Sequence, residues 1–262
     1  MNRIPEKLSL KQIKYYSSLL TKKGRKKEQQ FIVEGKRIVE EALNSSFEIQ
    51  AIIITKDFFE KTGKFLSKWE IDNKKLFTIA DKDFKKISVT KSPQGIVAVL
   101  SPKSVSSNIN TNDNLIVALE NISDPGNLGT ILRNCDWFGI KQIILNENCA
   151  DYLNPKTLRA SMGSFFHVNI FEEKNFYSKL SELQEIGYNI IFADLTGEDI
   201  FKFRKPEKTI IIFSNEAFGP TKELKQIANY SLSIPKIGKA ESLNVASASA
   251  VILSQLTKTL AK

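Results

Sequence analysis

The sequence predicts an α/β protein with a mostly parallel sheet over residues 115–262, preceded by a smaller α/β unit. Two observations predict it. Short Ile- and Val-rich runs of strand length alternate with segments of helical period, the pattern of a parallel sheet covered on both faces. One stretch, residues 101–114 (SPKSVSSNINTNDN), is Ser/Asn-rich and almost free of apolar side chains, and it divides the chain. The boundaries that follow are a first domain at 1–102, a linker at 103–114 and a second domain at 115–262; a long surface loop is the alternative for the linker.

In the first part, apolar periodicity from Leu10 to Leu20 reads as a helix, followed by a basic turn, Lys22–Lys27. A short strand, Phe31–Glu34, leads into a helix from Lys36 to Leu43 with Ile38, Val39 and Leu43 on one face. Ile49–Ile54 is a buried-type strand, and Asp57 caps a helix running towards Trp69. Leu76–Ile79, a short helix from Asp81 and a strand at Gly95–Leu100 complete the unit.

After the linker, strands read at Leu115–Leu119, Gln142–Leu145, His167–Ile170, Asn189–Ala193, Thr209–Phe213 and Ser231–Ile234. Helices read at Leu128–Phe138, Phe176–Ile186, around Thr221–Ile227 and at Leu243–Leu260. Ligands of such sheets bind beyond the carboxyl ends of the strands.

Composition narrows the function classes. The net charge of +9 over 262 residues favours a polyanionic partner, since Lys and Arg neutralise phosphates with counterion release. No apolar run reaches the ~20 residues of a membrane span, and the N-terminus lacks the apolar core of a secretory signal. The two cysteines, Cys135 and Cys149, form no CxxC pair, so the expectation is a reducing, cytoplasmic location and no metal site. A single histidine, His167, leaves little room for a His-based metal centre or a Ser-His-Asp triad.

Three segments put polar and turn residues directly after an apolar strand. In the first, Glu120–Asn127, Asp124-Pro125-Gly126 is a tight-turn signal and Asn127 suits a helix N-cap. Leu128, Ile131, Leu132, Cys135 and Phe138 then make a buried stripe, while Arg133 leaves another side of the helix, where a guanidinium either grips a phosphate or is simply solvated. The second, Phe213–Pro220, sets Glu216 at a strand end and Gly219 where backbone turns or approaches a ligand; a plain strand-to-helix turn reads equally well. The third, Ile234–Val245, runs from Pro235 through a Gly/Lys loop to a helix start near Ser242, followed by small residues that allow close approach; a packing helix is the alternative. None matches G-x-G-x-x-G or a P-loop.

Together and in this order, the segments resemble the motifs of the SpoU family of RNA ribose 2′-O-methyltransferases, of the SPOUT class. The matching residues are Asp124-Pro125-Gly126-Asn127-Leu128-Gly129 with Arg133, Asn215-Glu216 with Gly219, and Ile234-Pro235 with Ser242-Leu243-Asn244-Val245. Phe31–Arg37 and Ser92–Ile96 resemble the substrate-binding domain often joined to these enzymes. The second motif departs from the family in carrying Ser214 and Ala217 where glycine is usual, so Ser214 adds a side chain where backbone would approach a cofactor.

The resemblance implies a parallel sheet with a C-terminal trefoil knot, a homodimer, a smaller N-terminal α/β RNA-binding domain and S-adenosylmethionine as cofactor, with no metal. It implies a catalytic group of Asn127, Arg133, Glu216, Ser242 and Asn244. The cofactor would lie among Leu195, Thr196, Gly197, Ser214, Asn215, Glu216, Gly219, Ile234, Pro235, Ile237, Gly238, Ser242 and Leu243. RNA contacts are expected from Lys22, Lys23, Arg25, Lys26, Lys27, Arg37, Arg133 and Arg159, and the stretch Ala160–Phe166 resembles a recurrent family segment expected on the RNA side. The two-domain layout favours rRNA over tRNA as substrate. A non-catalytic RNA-binding or ribosome-assembly protein that kept the fold is the reading from another class.

Overall fold

A computed structural model describes residues 5–62, 65–102, 108–215 and 218–258. In chain order the elements are β1 (Glu6–Lys7), α1 (Leu10–Ser18), α2 (Lys22–Glu28), β2 (Phe31–Glu34), α3 (Lys36–Asn44), β3 (Ile49–Thr55), α4 (Lys56–Thr62), β4 (Leu76–Ile79), α5 (Asp81–Phe84) and β5 (Ile96–Leu100). They continue with β6 (Leu115–Glu120), α6 (Pro125–Trp137), β7 (Gln142–Asn146), α7 (Pro155–Ser161), β8 (Asn169–Glu173), α8 (Phe176–Glu185), β9 (Asn189–Asp199), β10 (Thr209–Ser214), α9 (Lys222–Ile227), β11 (Tyr230–Ser233) and α10 (Val245–Thr257). They form two compact units, residues 5–102 with 151–166, and residues 108–150 with 167–258.

The first unit is built on a sheet ordered β1-β4-β3-β5-β2. Its first three strands are parallel, and β5 runs antiparallel to both β3 and β2. Every residue of β5 is buried, which fits a continuous apolar run at the centre of a sheet. Helix α1 opens with a capping box, Ser9 and Gln12 each satisfying the other's backbone N–H, and sets Ile13 and Tyr16 on the core. The expected basic turn is instead helix α2, capped by Thr21 Oγ1, which accepts from Gly24 N at 3.0 Å. Gly24 is needed there, since a Cβ would lie 2.0 Å from Ser18 O.

Arg25 departs from its expected role on RNA. Only 4% exposed, it donates from Nε and Nη2 to Asp151 Oδ2 at 3.2 and 2.6 Å, and from Nη1 to Leu19 O at 2.9 Å. In a basic run its neighbours stay in water, but the helical period turns this one side chain inward.

The expected division at 103–114 is collinear, whereas the observed units are not. Residues 103–107 lie outside the described residues, Ile109 is 8% exposed in the core of the second unit, and 151–166 pack with the first. Helix α7, unforeseen in the sequence, lies against β2, and Phe165 after it meets Phe31 and Phe47 with ring centroids 5.7 and 5.5 Å apart. Phe165 of the stretch 160–166 is therefore core, at 4% exposure.

In the second unit the sheet is ordered β11-β9-β10-β6-β7-β8 and every pairing is parallel. The carboxyl ends of its strands thus share one edge. Helix α6 carries the expected stripe, Leu128, Ile131, Leu132 and Cys135, each fully buried and contributing about 1.5–3 kcal/mol for each large apolar side chain. It starts earlier than expected because Asp124, not Asn127, is the N-cap, accepting from Asn127 N at 2.9 Å, with Pro125 in the first helical turn. Helix α10 packs against α6, and its small residues allow Asn134 Nδ2 to reach Ala246 O and Ser249 Oγ, both at 2.9 Å. Strand β9 continues past Ala193 to Asp199, so Leu195-Thr196-Gly197 is strand, not the expected loop.

Candidate active site

Four strand ends, those of β6, β9, β10 and β11, bring the three motif segments together. After β6 the chain turns at Asn121, whose left-handed backbone (φ 59°) is held by Asn146: Asn121 N donates to Asn146 Oδ1 at 2.9 Å, and Asn146 Nδ2 to Asn121 Oδ1 at 2.8 Å. Beyond β10, Asn215 N donates to Glu120 O at 3.2 Å, and Asn215 Nδ2 to Asn121 O and Ser123 Oγ at 3.1 and 3.3 Å. Gly219 adopts φ 64°, the conformation that favours glycine, and its N–H closes the turn on Asn215 O at 2.8 Å. At the start of α10, Asn244 is the N-cap, accepting from Ala246 N at 3.0 Å, while its Nδ2 donates to Asn127 Oδ1 at 3.0 Å. First and second motifs, and first and third, are thus joined by side-chain hydrogen bonds between residues about a hundred positions apart.

The second and third segments, with the chain at Ala193–Leu195, line a cavity of about 530 Å³, within the ~300–1,000 Å³ usual for small-molecule sites. Of the residues expected at a cofactor, Leu195, Ser214, Asn215, Gly219, Ile234, Pro235, Ile237, Gly238, Ser242 and Leu243 line it. Thr196 and Gly197 are not on its wall; they lie within β9, and a Cβ at Gly197 would sit 2.7 Å from Ser231 O on β11. Glu216, with Ala217, falls outside the described residues. Asn127 and Arg133 are not on its wall: Asn127 is linked to it through Asn244, the neighbour of wall residues Leu243 and Val245, and Arg133 is exposed on α6.

Sequence reasoning missed several wall residues. Asp194 and Glu241 supply carboxylates, and Phe213, Val245 and Ile252 supply apolar surface. β10 is buried throughout, so no alternation singles out Phe213, and nothing in the pattern singles out Glu241. An apolar wall with two carboxylates and the Lys236 ammonium suits a ligand that combines an aromatic ring with charges of both signs, and a nucleoside bearing a sulfonium, an ammonium and a carboxylate has those properties. Ser214, expected to intrude, does not: its Oγ turns away to Glu120 Oε2 at 2.8 Å and the residue is 8% exposed.

The cysteines play no polar part in the site. Burial pushes both thiols up, Cys149 to about 11, and Cys149 Sγ rests 3.3 Å from both Leu119 O and Asn146 Oδ1. His167 Nδ1 lies 3.0 Å from Asp136 Oδ2, at the far end of α6 from Asn127. Among the described residues no group of His, Cys, Asp and Glu could hold a metal ion, and no helix is long and apolar enough to cross a membrane.

Comparison with known proteins gives this geometry a family. Residues 114–254 match the SpoU rRNA Methylase family, and residues 11–98 match the MRM3-like substrate binding domain. The chain is 30% identical over 246 residues to the 23S rRNA (guanosine(2553)-2′-O)-methyltransferase RlmP of Bacillus subtilis, covering 93% of this chain and 95% of that one. Among solved structures, a TrmH-family protein from Porphyromonas gingivalis superposes with a TM-score of 0.84 at 31% identity, covering 96% of this chain and 99% of that chain. An AdoMet-bound rRNA methyltransferase from Sinorhizobium meliloti superposes with a TM-score of 0.83 at 27% identity, covering 98% of each chain. The match spans both parts of the sequence and includes the three hydrogen-bonded segments, and the chain is a member of the SpoU rRNA methylase family.

Proposed function

We propose that this protein transfers a methyl group from S-adenosylmethionine to a ribose 2′-hydroxyl of RNA, with rRNA favoured over tRNA as substrate. The observation that carries the reading is the pair of links that tie the first motif to the others, Asn215 to Asn121 and Asn244 to Asn127, with residues of the second and third motifs lining one cavity of suitable size. Family membership and the rRNA-directed name of the Bacillus subtilis relative support the choice of RNA.

When bound, S-adenosylmethionine supplies an electrophilic methyl group on a sulfonium. The chain's task is to align the hydroxyl oxygen with that carbon, which contributes up to about 7–11 kcal/mol. In this reading the apolar wall and the turns at 234–238 and 242–243 hold the cofactor, while Asp194 and Glu241 favour its positive charge. Arg133 holds the RNA phosphate and stabilises negative charge developing on the ribose oxygen. A guanidinium has no lone pair to act as an acceptor, so the hydroxyl proton leaves to phosphate or water. Asn244 fixes Asn127, Ser242 borders the cavity, and Glu216 is assigned with them by its motif.

The finer parts of the reading belong to it as well: a C-terminal trefoil knot, a homodimer and a cytoplasmic location. Exposed Trp137 and Ile237, at 82% and 102%, are apolar side chains that a second copy would cover. Lys22, Lys23, Lys26, Lys27, Arg37 and Arg159 are exposed and in this reading meet the RNA backbone; Arg159 also donates to Thr90 Oγ1 at 3.2 Å.

The test is calorimetric titration with S-adenosylmethionine, then transfer of labelled methyl to rRNA and to tRNA. Wild type is expected to bind and to methylate rRNA at the 2′-oxygen, and Arg133→Ala to bind equally well but lose at least about a hundredfold in transfer. Undiminished transfer by Arg133→Ala removes that residue from catalysis; transfer to tRNA alone reverses the substrate preference.

A further inference from the structure

Glu120 ends β6 with no solvent exposure at all. A buried carboxylate is costly unless well supplied with donors, and this one is. Its Oε2 accepts from Ser214 Oγ at 2.8 Å and from Thr221 N at 3.2 Å; its Oε1 accepts from Thr221 Oγ1 and Tyr177 OH, both at 2.7 Å. Burial, reinforced by the Glu120 carboxylate and opposed by the Thr221 hydrogen bond, pushes the Tyr177 phenol up to about 12, so it remains a donor at neutral pH.

The sources of these donors matter more than their number. Ser214 is the last residue of β10, and Thr221 is the N-cap of α9. Between them lies the segment that supplies Asn215, Phe218, Gly219 and Pro220 to the cavity wall. Three of the four donors therefore come from the two flanks, and the oxygen of the fourth, Tyr177, lies 2.9 Å from Thr221 Oγ1 on the same carboxylate oxygen. Core packing alone would be met by an apolar residue at 120; here Oε2 alone accepts from both flanks, and Oε1 adds the Thr221 and Tyr177 hydroxyls.

We infer that Glu120 is a positioning residue for methyl-donor binding: its carboxylate fastens Ser214 and Thr221, and with them the adjoining wall residues Asn215 and Phe218–Pro220, before the ligand arrives. This rests on the methyltransferase reading above. A loop held in its binding geometry gains affinity because less ordering is left to binding.

The experiment compares full-length wild type, Glu120→Ala and Glu120→Gln. It measures KM for S-adenosylmethionine, KM for RNA, kcat, and amide hydrogen exchange at Gly219 and Thr221 without ligand. Glu120→Ala is expected to raise KM for S-adenosylmethionine about tenfold or more, leave KM for RNA within about twofold, and speed the two amides about tenfold. Glu120→Gln keeps a carbonyl for Thr221 N–H and turns its NH₂ to the hydroxyls, which can accept; it is expected to recover to within about threefold of wild type. Unchanged KM for S-adenosylmethionine with unchanged exchange overturns the proposal, and so does an equal loss in both KM values with faster exchange throughout the second unit. If Glu120→Ala does not fold, Tyr177→Phe, which removes one donor and keeps three, is expected to raise KM for the cofactor about two- to threefold and to speed exchange at Thr221; a wild-type KM with wild-type exchange in Tyr177→Phe overturns it. Wild type that binds no S-adenosylmethionine defeats the functional reading, while the exchange comparison still decides whether Glu120 fastens the loop.

Discussion

Replacing Arg25 with alanine separates a structural cation from an RNA-binding one in the same basic run. The guanidinium holds Asp151, with side-chain exposures of 3% and 14%, and also satisfies Leu19 O. Removing one partner of a buried pair costs about 3–5 kcal/mol, because the other charge is left uncompensated. Asp151 retains some exposure, and its Oδ1 still accepts from Leu153 N at 2.9 Å, so the lower end, about 3 kcal/mol, is expected. That is a large share of the ~5–15 kcal/mol that holds a typical domain together. Urea unfolding measures it, with an Arg25→Met/Asp151→Leu double replacement expected much closer to wild type because no charge is then stranded. RNA affinity measured against salt provides the second axis. Each of Lys22, Lys23, Lys26 and Lys27 that contacts phosphate is expected to lower the log–log slope by about 0.7 when replaced, and Arg25 by nothing. Wild-type stability in Arg25→Ala together with a reduced salt slope would refute the reasoning.

Two further outcomes follow from the geometry. Asn244→Ala is expected to lose about 1 kcal/mol of α10 capping and most methyl transfer; Asn244→Asp restores the cap but cannot donate to Asn127, so stability returns and transfer does not, and recovery of both would show that the Asn127 contact is idle. Because burial raises the Cys149 thiol to about 11, it is protonated below that pH: iodoacetamide is expected to leave both cysteines unmodified at pH 8 in the native protein, Cys149 to react only as pH nears 11, and both to react in denaturant, whereas rapid native labelling at pH 8 counts against the packing described.

The parallel sheet was legible because its strands are apolar runs of the right length, each followed by turn residues. The residues meeting at the cavity were legible only as a set: Asn215, Gly219, Pro235 and Ser242 are ordinary turn residues taken singly. Three things stayed hidden for physical reasons. A basic run reads as uniformly solvated, and only the packing of α2 shows that Arg25 faces inward. Asp124 and Asn127 are equally good capping residues, and Pro125 decides between them by occupying the first turn. Glu120 looks like the polar end of a strand, because its donors come from residues 177, 214 and 221, which no local pattern connects to it.

The discontinuity of the first unit has a consequence for biosynthesis. Phe31 and Phe47 await Phe165, and Arg25 awaits Asp151, so a nascent chain that has emerged only to residue 102 holds a stranded guanidinium and an uncovered aromatic surface. At the usual ~5–20 residues per second, the wait from residue 102 to residue 166 lasts roughly 3–13 s. Throughout that interval the ribosome carries a half-finished domain, exposed to chaperones and proteases alike. A fragment cut at the linker would remain in that immature condition permanently.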